Sequence, residues 1–358
     1  MITRVFCFSN LQERRPRREY ILKNMIAAGT PLLHDLLAVW LLIMKAAASY
    51  DIIGDIHGHS RSLVALLDKL GYQLEDGVYR HPARKVIFLG DFIDRGEFQR
   101  EVLDIVRPMI ESGAALSVMG NHEFNAIAYH TPDDETGGYL RAHTAKNSGQ
   151  HQVFLDACAG SPAEYQETIN WFRTLPLWLD LGELRIVHAC WDTREIAAIL
   201  HSQDGDNHLG EGLLRESCRP GSWQFTAIET ILKGKEIPLQ NGASFRDKDG
   251  NVRHNIRVRW WDRQAMTYKD AFMGPESART HIPDDAIEAD HLVEYSHEAP
   301  PVFLGHYWME GEPKPLAPNI ACLDYSVAKP GGRLVAYCWN GEQTLESGKY
   351  VSVERVES

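Results

Sequence analysis

The chain has 358 residues, 44% hydrophobic and 24% charged, with a formal net charge of −12. These values fit one large α/β domain or two small ones and exclude bulk disorder. The acidic balance argues against a broad cationic surface for extended nucleic acid, but not against phosphate substrates, because bound dications would dominate the field at a site.

Residues 1–48 read as an N-terminal extension. RRPRR (14–18) precedes the apolar run LLHDLLAVWLLIM (32–44), which imitates a signal or anchor. His34 and Asp35 interrupt that run, and Leu36–Met44 is too short to span a bilayer, so no membrane partner is expected. The extension reads as an upstream translation start, with Met44 opening the domain proper, or as a helix packed on the domain.

The domain is expected over 49–358. Residues 49–54 read as a buried strand. Residues 60–71 read as a helix with Leu63, Leu66, Leu67 and Leu70 on one face, Ser60 as cap and Gly71 as stop. A strand over 85–90, a helix over 98–112 and a strand over 115–119 follow, which is a βαβ start with a parallel sheet. Residues 131–152 are polar and read as an inserted loop near the site mouth. Residues 162–175 look helical, and LPLWLDLGELRIVHA (175–189) reads as a hairpin. Residues 195–298, rich in charge, Gly and Pro, read as an insertion or cap over the site, and strand 301–305 resumes the core. NIACLDYS (319–326), GGRLVAYCWNGE (331–342) and YVSVERV (350–356) alternate like antiparallel strands. The six cysteines form no CxxC pair and read as buried reduced thiols of a cytoplasmic protein.

Five segments run from an apolar strand-like stretch into a metal-ligand residue: DIIGDIHG (51–58), VIFLGDFIDRG (86–96), LSVMGNHE (116–123), LRIVHA (184–189) and PVFLGH (301–306). Strand ends are where α/β sheets collect their chemistry. These ends offer Asp55, His57, Asp91, Asn121, His188 and His306, an oxygen and nitrogen set without cysteine, suited to a pair of hard or borderline divalent cations. Asp55 and His57, two apart, would point to the same side of an extended strand end. Asp91 can bridge two cations with its two oxygens. Asp94 can accept a hydrogen bond from a histidine, and His122 beside Asn121 can act as general acid. Arg95 offers a planar fork to phosphate oxygens.

GDIHG, GDFIDRG and GNHE in this order resemble the calcineurin-like metallophosphoesterases, within them the phosphoprotein-phosphatase-like branch. That branch holds serine/threonine phosphatases, symmetrical bis(5′-nucleosyl)-tetraphosphatases and the phosphatase module of bacterial polynucleotide kinase-phosphatases. The resemblance covers about 50–125, 170–190 and 301–342. It implies a four-layer α-β-β-α sandwich of two mixed sheets with a dinuclear metal site at strand C-terminal ends. It assigns Asp55, His57 and Asp91 to one metal and Asp91, Asn121, His188 and His306 to the other. His122 with Asp94 would be the acid pair and Arg95 a phosphate clamp. The implied cofactors are two divalent ions, Mn²⁺ first, with Fe or Zn²⁺ as alternatives. A water activated between them would attack phosphorus while His122 protonates the leaving alkoxide. Trp308 stands where other metallophosphoesterases carry a second histidine, and Glu97 follows DRG in place of the common Pro or Tyr. Expected substrates are a phosphorylated small molecule or nucleotide, with phosphoprotein and dinucleoside tetraphosphate as alternatives and an inactive binding module as the rival from another class. A second phosphate-binding arginine is expected from RVRWWDR (257–263), as Arg257, Arg259 or Arg263, although a strand with buried Trp260 or Trp261 fits the same residues.

Overall fold

Short strands with alternating apolar side chains build two sheets. The computed structural model describes residues 49–246, 252–287 and 291–356, so the readings made for residues 1–48 lie outside the described residues. Strand β1 (Ser49–Ile53) leads into helix α1 (Ser60–Leu70), then β2 (Arg84–Phe88), α2 (Gln99–Glu111), β3 (Ala115–Ser117) and α3 (Asn121–His130). β1, β2 and β3 are parallel neighbours, so the expected βαβ start is present. Helices α4 (Ala145–Cys158) and α5 (Pro162–Phe172) precede the hairpin of β4 (Trp178–Asp180) and β5 (Arg185–Val187). Helices α6 (Thr193–Ser202), α7 (Glu211–Ser217) and α8 (Trp223–Lys233) follow. The chain closes with β6 (Val302–Leu304), β7 (Ile320–Cys322), β8 (Asp324–Tyr325), β9 (Arg333–Trp339) and β10 (Tyr350–Glu354).

The first sheet runs β8-β9-β1-β2-β3, with β10 on β9; the second runs β7-β6-β5-β4. Both are mixed: β9 is antiparallel to β1, and β4 is antiparallel to the parallel run β5-β6-β7. Alternate residues face opposite ways along a strand. Ile52, Ile87, Val335 and Tyr337 of the first sheet share one buried cluster with Ile186, Phe303 and Ala321 of the second, which is the layer between the sheets. Their chain neighbours Ile53, Phe88, Ala336, Val187 and Leu304 belong to the cluster that holds the helix side chains. That alternation produces the four-layer sandwich.

Several boundaries differ from the sequence reading. Ser60 is the first residue of α1 and does not cap it: the cap position is His59, without a side-chain cap bond, while Gly71 ends the helix at φ 87°. The polar stretch expected as a loop over 131–152 contains a small hairpin and most of α4, which Thr144 caps by accepting from the Asn147 amide. α4 buries only a narrow line of His151, Phe154 and Cys158, so it carries almost no amphipathic signal. The residues read as an antiparallel strand over 319–326 divide between sheets. β7 lies parallel to β6 in the second sheet, the Leu323 amide donates to Leu304 O, and β8 joins β9 in the first. Period-two alternation fixes which way side chains face, not which strand is the partner.

The segment 195–298 also divides. α6, α7 and α8 contribute Ile199, Leu214 and Ile231 to the main core. Ile237, Phe245, Ile256, Val258, Phe272 and Ile282 form a separate small core of their own. Trp260 is fully buried; its indole N–H lies 3.2 Å from Ala189 O and 3.1 Å from Tyr307 Oη, next to two residues that bear on the site. Among the described residues, no helix is long and apolar enough to cross a membrane.

Candidate metal centre

Every ligand-type side chain follows the C-terminal end of a parallel strand: Asp55 and His57 after β1, Asp91 after β2, Asn121 after β3, His188 after β5 and His306 after β6. The strand-end geometry expected for Asp55 and His57 is absent. β1 stops at Ile53, and His57 sits at φ 47° in a turn whose Ile56 and His57 amides both donate to Asp91 O. Asp91, Asp94, Arg95, His306 and Trp308 also have positive φ, between 52° and 75°. Non-glycine residues adopt this region at a cost, and such strain gathers where side chains must be aimed.

Two groups of potential ligands form, His57–Asp91–His122 and Asp91–His188–His306, each with its donor atoms within 4.8 Å of one another. Asp91 is common to both. Its Oδ2 lies 3.6 Å from His57 Nε2, 3.4 Å from His188 Nε2 and 3.9 Å from His122 Nε2. Asn121 Oδ1 lies 3.1 Å from His188 Nε2 and 2.7 Å from His306 Nδ1. Asp55 stands outside the two groups but against them: its Oδ2 accepts the His306 amide at 3.0 Å. Residue 305 must be glycine for this approach, since a Cβ there would come within 2.0 Å of Asp55 Oδ1.

These residues fit divalent cations on chemical grounds. The His57 ring donates from Nδ1 to Ile93 O, and the His188 ring from Nδ1 to Leu89 O. Both Nε2 lone pairs then face oxygen lone pairs, an arrangement a cation between them turns from repulsive to bonding. His57 Nε2, His306 Nε2 and Asp55 Oδ1 are buried without a hydrogen-bond partner, an expensive condition for polar atoms. The electrostatics agree. Burial, with Asp324 adding to it, pushes the Asp55 carboxyl well above the usual range. Burial would lower His188, but Asp91 raises it to about 10. Burial and then His122 depress His57 to about 3. A pocket of close carboxylates that draws a proton onto a buried imidazole is short of positive charge.

Beside this centre, Asp94 Oδ2 accepts from His122 Nδ1 at 2.6 Å. Burial would raise the Asp94 carboxyl, but hydrogen bonds from His122 and His151 hold it at about 2. His122 is lowered by burial and raised by Asp91 and Asp94, with a net upward shift. Three supporting residues escaped the sequence reading. His151 of α4 donates from Nδ1 to Asp94 Oδ1 at 2.8 Å, the far oxygen of the same carboxylate. Glu123, fully buried, accepts the Asp91 and Phe92 amides, each at 2.8 Å, and the Gly120 amide at 3.0 Å. Burial and Asp91 raise its carboxyl to about 7. Gln99 accepts the Asp94 amide at 2.7 Å. Glu123 was visible in GNHE as a first-turn acid; nothing in the sequence marked His151, because its helix was unmarked.

The arginines part company. Arg95 is exposed, its guanidinium 5.0 Å from the Trp308 ring centre. Arg259 pairs with Asp262 at 3.4 Å, and Arg263 donates to Tyr295 O at 3.3 Å. Arg257 lies 3.6 Å from Glu236 and acts on His306, whose pKa burial and then Arg257 depress well below the usual range. With Arg257 as the expected second phosphate-binding arginine, Arg257→Ala should lower kcat/KM by roughly tenfold or more, the worth of one charge-assisted bond. Arg259→Ala and Arg263→Ala should change thermal stability more than turnover. Steady-state kinetics on the three single variants, with metal content measured alongside, checks this; equal kinetic losses in all three would refute it.

A family model described as calcineurin-like phosphoesterase matches residues 49–306. Among curated proteins, the chain is 34% identical over 149 residues to the asymmetrical bis(5′-nucleosyl)-tetraphosphatase PrpE of Bacillus velezensis, covering 39% of this chain and 56% of that protein. It is 46% identical over 74 residues to the PrpE of Halalkalibacterium halodurans, covering 20% of this chain and 30% of that protein. The chain thus spans about half or less of the length of these relatives. Among solved structures, a serine/threonine phosphatase from Saccharomyces cerevisiae aligns with TM-score 0.49 at 16% identity, over 88% of this chain and 82% of that one. A cold-active protein-tyrosine phosphatase of a Shewanella species aligns with TM-score 0.45 at 15% identity, over 86% and 80%.

Proposed function

This chain belongs to the calcineurin-like phosphoesterase family, and from that premise we propose that it is a dinuclear-metal-dependent hydrolase of phosphoesters. The observation that carries the reading is Asp91, shared by two ligand groups that are buried except for a half-buried His306, with the Asp94–His122 pair immediately beside them. His57, Asp91 and Asp55 would hold one cation, and Asp91, Asn121, His188 and His306 the other. Bound divalent cations supply Lewis-acid polarisation of a phosphoryl oxygen and acidify a water.

The remaining work falls to side chains. Glu123 accepts the Asp91 and Phe92 amides and so fixes the backbone that carries the shared carboxylate, whose Oδ1 is held by the His122 amide. Asp94 takes the His122 Nδ1 proton in a hydrogen bond, which selects the orientation that turns Nε2 toward the centre. From there Nε2–H gives its proton to the leaving oxygen as the P–O bond breaks. Arg95 offers its planar fork to the phosphoryl oxygens, where charge accumulates. The proposed substrates are phosphorylated small molecules, nucleotides foremost, in line with the PrpE relatives being named bis(5′-nucleosyl)-tetraphosphatases.

Metal analysis of protein prepared without chelator tests the reading. Up to two transition ions per chain are expected, Mn²⁺ first by the mixed Asp/His/Asn donor set, with Fe or Zn²⁺ as alternatives. Chelation should abolish hydrolysis across a panel of p-nitrophenyl phosphate, nucleotides, dinucleoside tetraphosphate and phosphopeptide, and Mn²⁺ should restore it. Full activity in metal-free protein would sink the proposal.

A further inference from the structure

Three residues far apart in sequence meet at the rim of the metal centre. The Trp308 ring centre lies 6.1 Å from that of His57. Over the same indole stand two cations, the Arg95 guanidinium at 5.0 Å and the Lys329 ammonium at 4.5 Å. An aromatic face attracts a cation, so one ring holds two like charges, each at 5.0 Å or less from its centre. Trp308 is half-buried, and Arg95 and Lys329 are exposed. The carboxylate found with Lys329 is Glu310, 3.9 Å away and itself 83% exposed, which is too long and too wet to neutralise it.

The loops presenting these groups are tied down from below. Asp324, buried between them, accepts the Trp308 amide on Oδ2 at 2.8 Å and the Ser326 amide on Oδ1 at 2.9 Å. Ser326 O in turn accepts the Lys329 amide at 2.7 Å, and Lys329 O accepts the Gly332 amide at 3.0 Å. One carboxylate therefore sets the position of both the indole and the lysine turn. On the other side, the Gly96 amide donates to His57 O, which anchors the Arg95 turn to a proposed ligand. Trp308 and Ser326 sit at φ 53° and 62°, so both turns hold conformations that non-glycine residues avoid.

We propose that Lys329, held with Arg95 on the Trp308 indole, is a second phosphate-binding cation at the rim of the metal centre, and that it selects substrates with adjacent phosphates, the phosphoanhydrides of nucleotides. The proposal rests on the hydrolase reading for the place of the reacting phosphate, which Arg95 contacts. The neighbouring phosphate of the same chain then meets Lys329. A simple monoester has no group to place there. Because its face already carries cations, Trp308 orders charge here and is not a platform for the base.

The test uses the full chain loaded with Mn²⁺. Binding of inorganic pyrophosphate and of inorganic phosphate is measured by calorimetry for wild type, Lys329→Gln and Lys329→Arg. Wild type should prefer pyrophosphate. Lys329→Gln should reduce that preference by about tenfold, the loss of one charge-assisted bond, and Lys329→Arg should largely keep it. The ratio of kcat/KM on dinucleoside tetraphosphate to that on p-nitrophenyl phosphate should fall in parallel, mainly through KM. An unchanged preference in Lys329→Gln, or an equal loss for both anions, would overturn the proposal. Phosphopeptide hydrolysis falling as much as dinucleoside tetraphosphate hydrolysis would also overturn it, since Lys329 would then read any neighbouring acid. If wild type hydrolyses nothing yet shows the lysine-dependent preference for pyrophosphate, the hydrolase reading and the substrate selection built on it fail, while Lys329 as a phosphate-binding cation stands.

Discussion

Asp91→Asn should remove both metals and turnover together. Asp91 is the one residue common to the two ligand groups, with Oδ2 facing His57, His188 and His122. The asparagine keeps the shape and one acceptor oxygen but removes the negative charge and the second oxygen through which two cations can be shared. Loss of a supporting residue outside the ligand set costs about 10–100-fold in metal affinity; loss of the shared ligand should exceed that range for both ions. The Asp91 Oδ1 position also accepts the His122 amide at 2.9 Å, so the variant disturbs the entry to α3 as well. Mass-spectrometric metal content, circular dichroism and kinetics on the same sample separate the cases. A folded Asp91→Asn protein that retains two metals would show that the two groups are not joined through this carboxylate.

His122→Asn should give the opposite pattern, keeping both metals while kcat falls by about 10²–10⁴, the usual worth of a general acid. His122 belongs by distance to one ligand group, yet its Nδ1 is committed to Asp94 at 2.6 Å, and its Nε2 is farther from Asp91 than those of His57 and His188. Hence the role assigned to it is proton donor. The loss should shrink for p-nitrophenolate, a leaving group that needs little protonation, and be largest for an alkoxide. Metal loss in this variant would convert His122 from acid to ligand and reassign the pair. A uniform loss across leaving groups would remove the acid role even with metals intact.

Much of the fold and of the proposed centre was legible because the relevant signals are local. GDIHG, GDFIDRG and GNHE each combine an apolar strand, a turn and a polar group within about a dozen residues, and the helices α1 and α2 show clear amphipathic spacing. Residues 49–54 and 301–305 were readable as buried strands, and in the structure Ile52 and Phe303 face one cluster while Ile53 and Leu304 face the other. Where the chain pairs with something distant, the sequence was silent. It could not say that β7 joins β6 while β8 crosses to β9, because alternation is the same for either partner. It could not mark α4 as a helix, since three buried side chains on fourteen residues leave no periodic trace.

The supporting residues belong to that second kind. His151 reaches Asp94 across 57 positions of sequence, and Asp324 fixes Trp308 and Ser326 from the crossover between sheets. RVRWWDR fitted a phosphate-binding stretch or a strand with a buried tryptophan, and complete burial against Ala189 O and Tyr307 Oη made Trp260 core. Residue types and short spacings determined which chemistry this chain can hold, because ligand donors must sit at strand ends to meet. Asp91 as the shared carboxylate and His122 as the partner of Asp94 were readable from the motifs, whereas the second histidine on Asp94, His151, and the cations that flank Trp308 were decided only by tertiary structure. Those outcomes depend on distances between segments whose order in sequence carries no record of them.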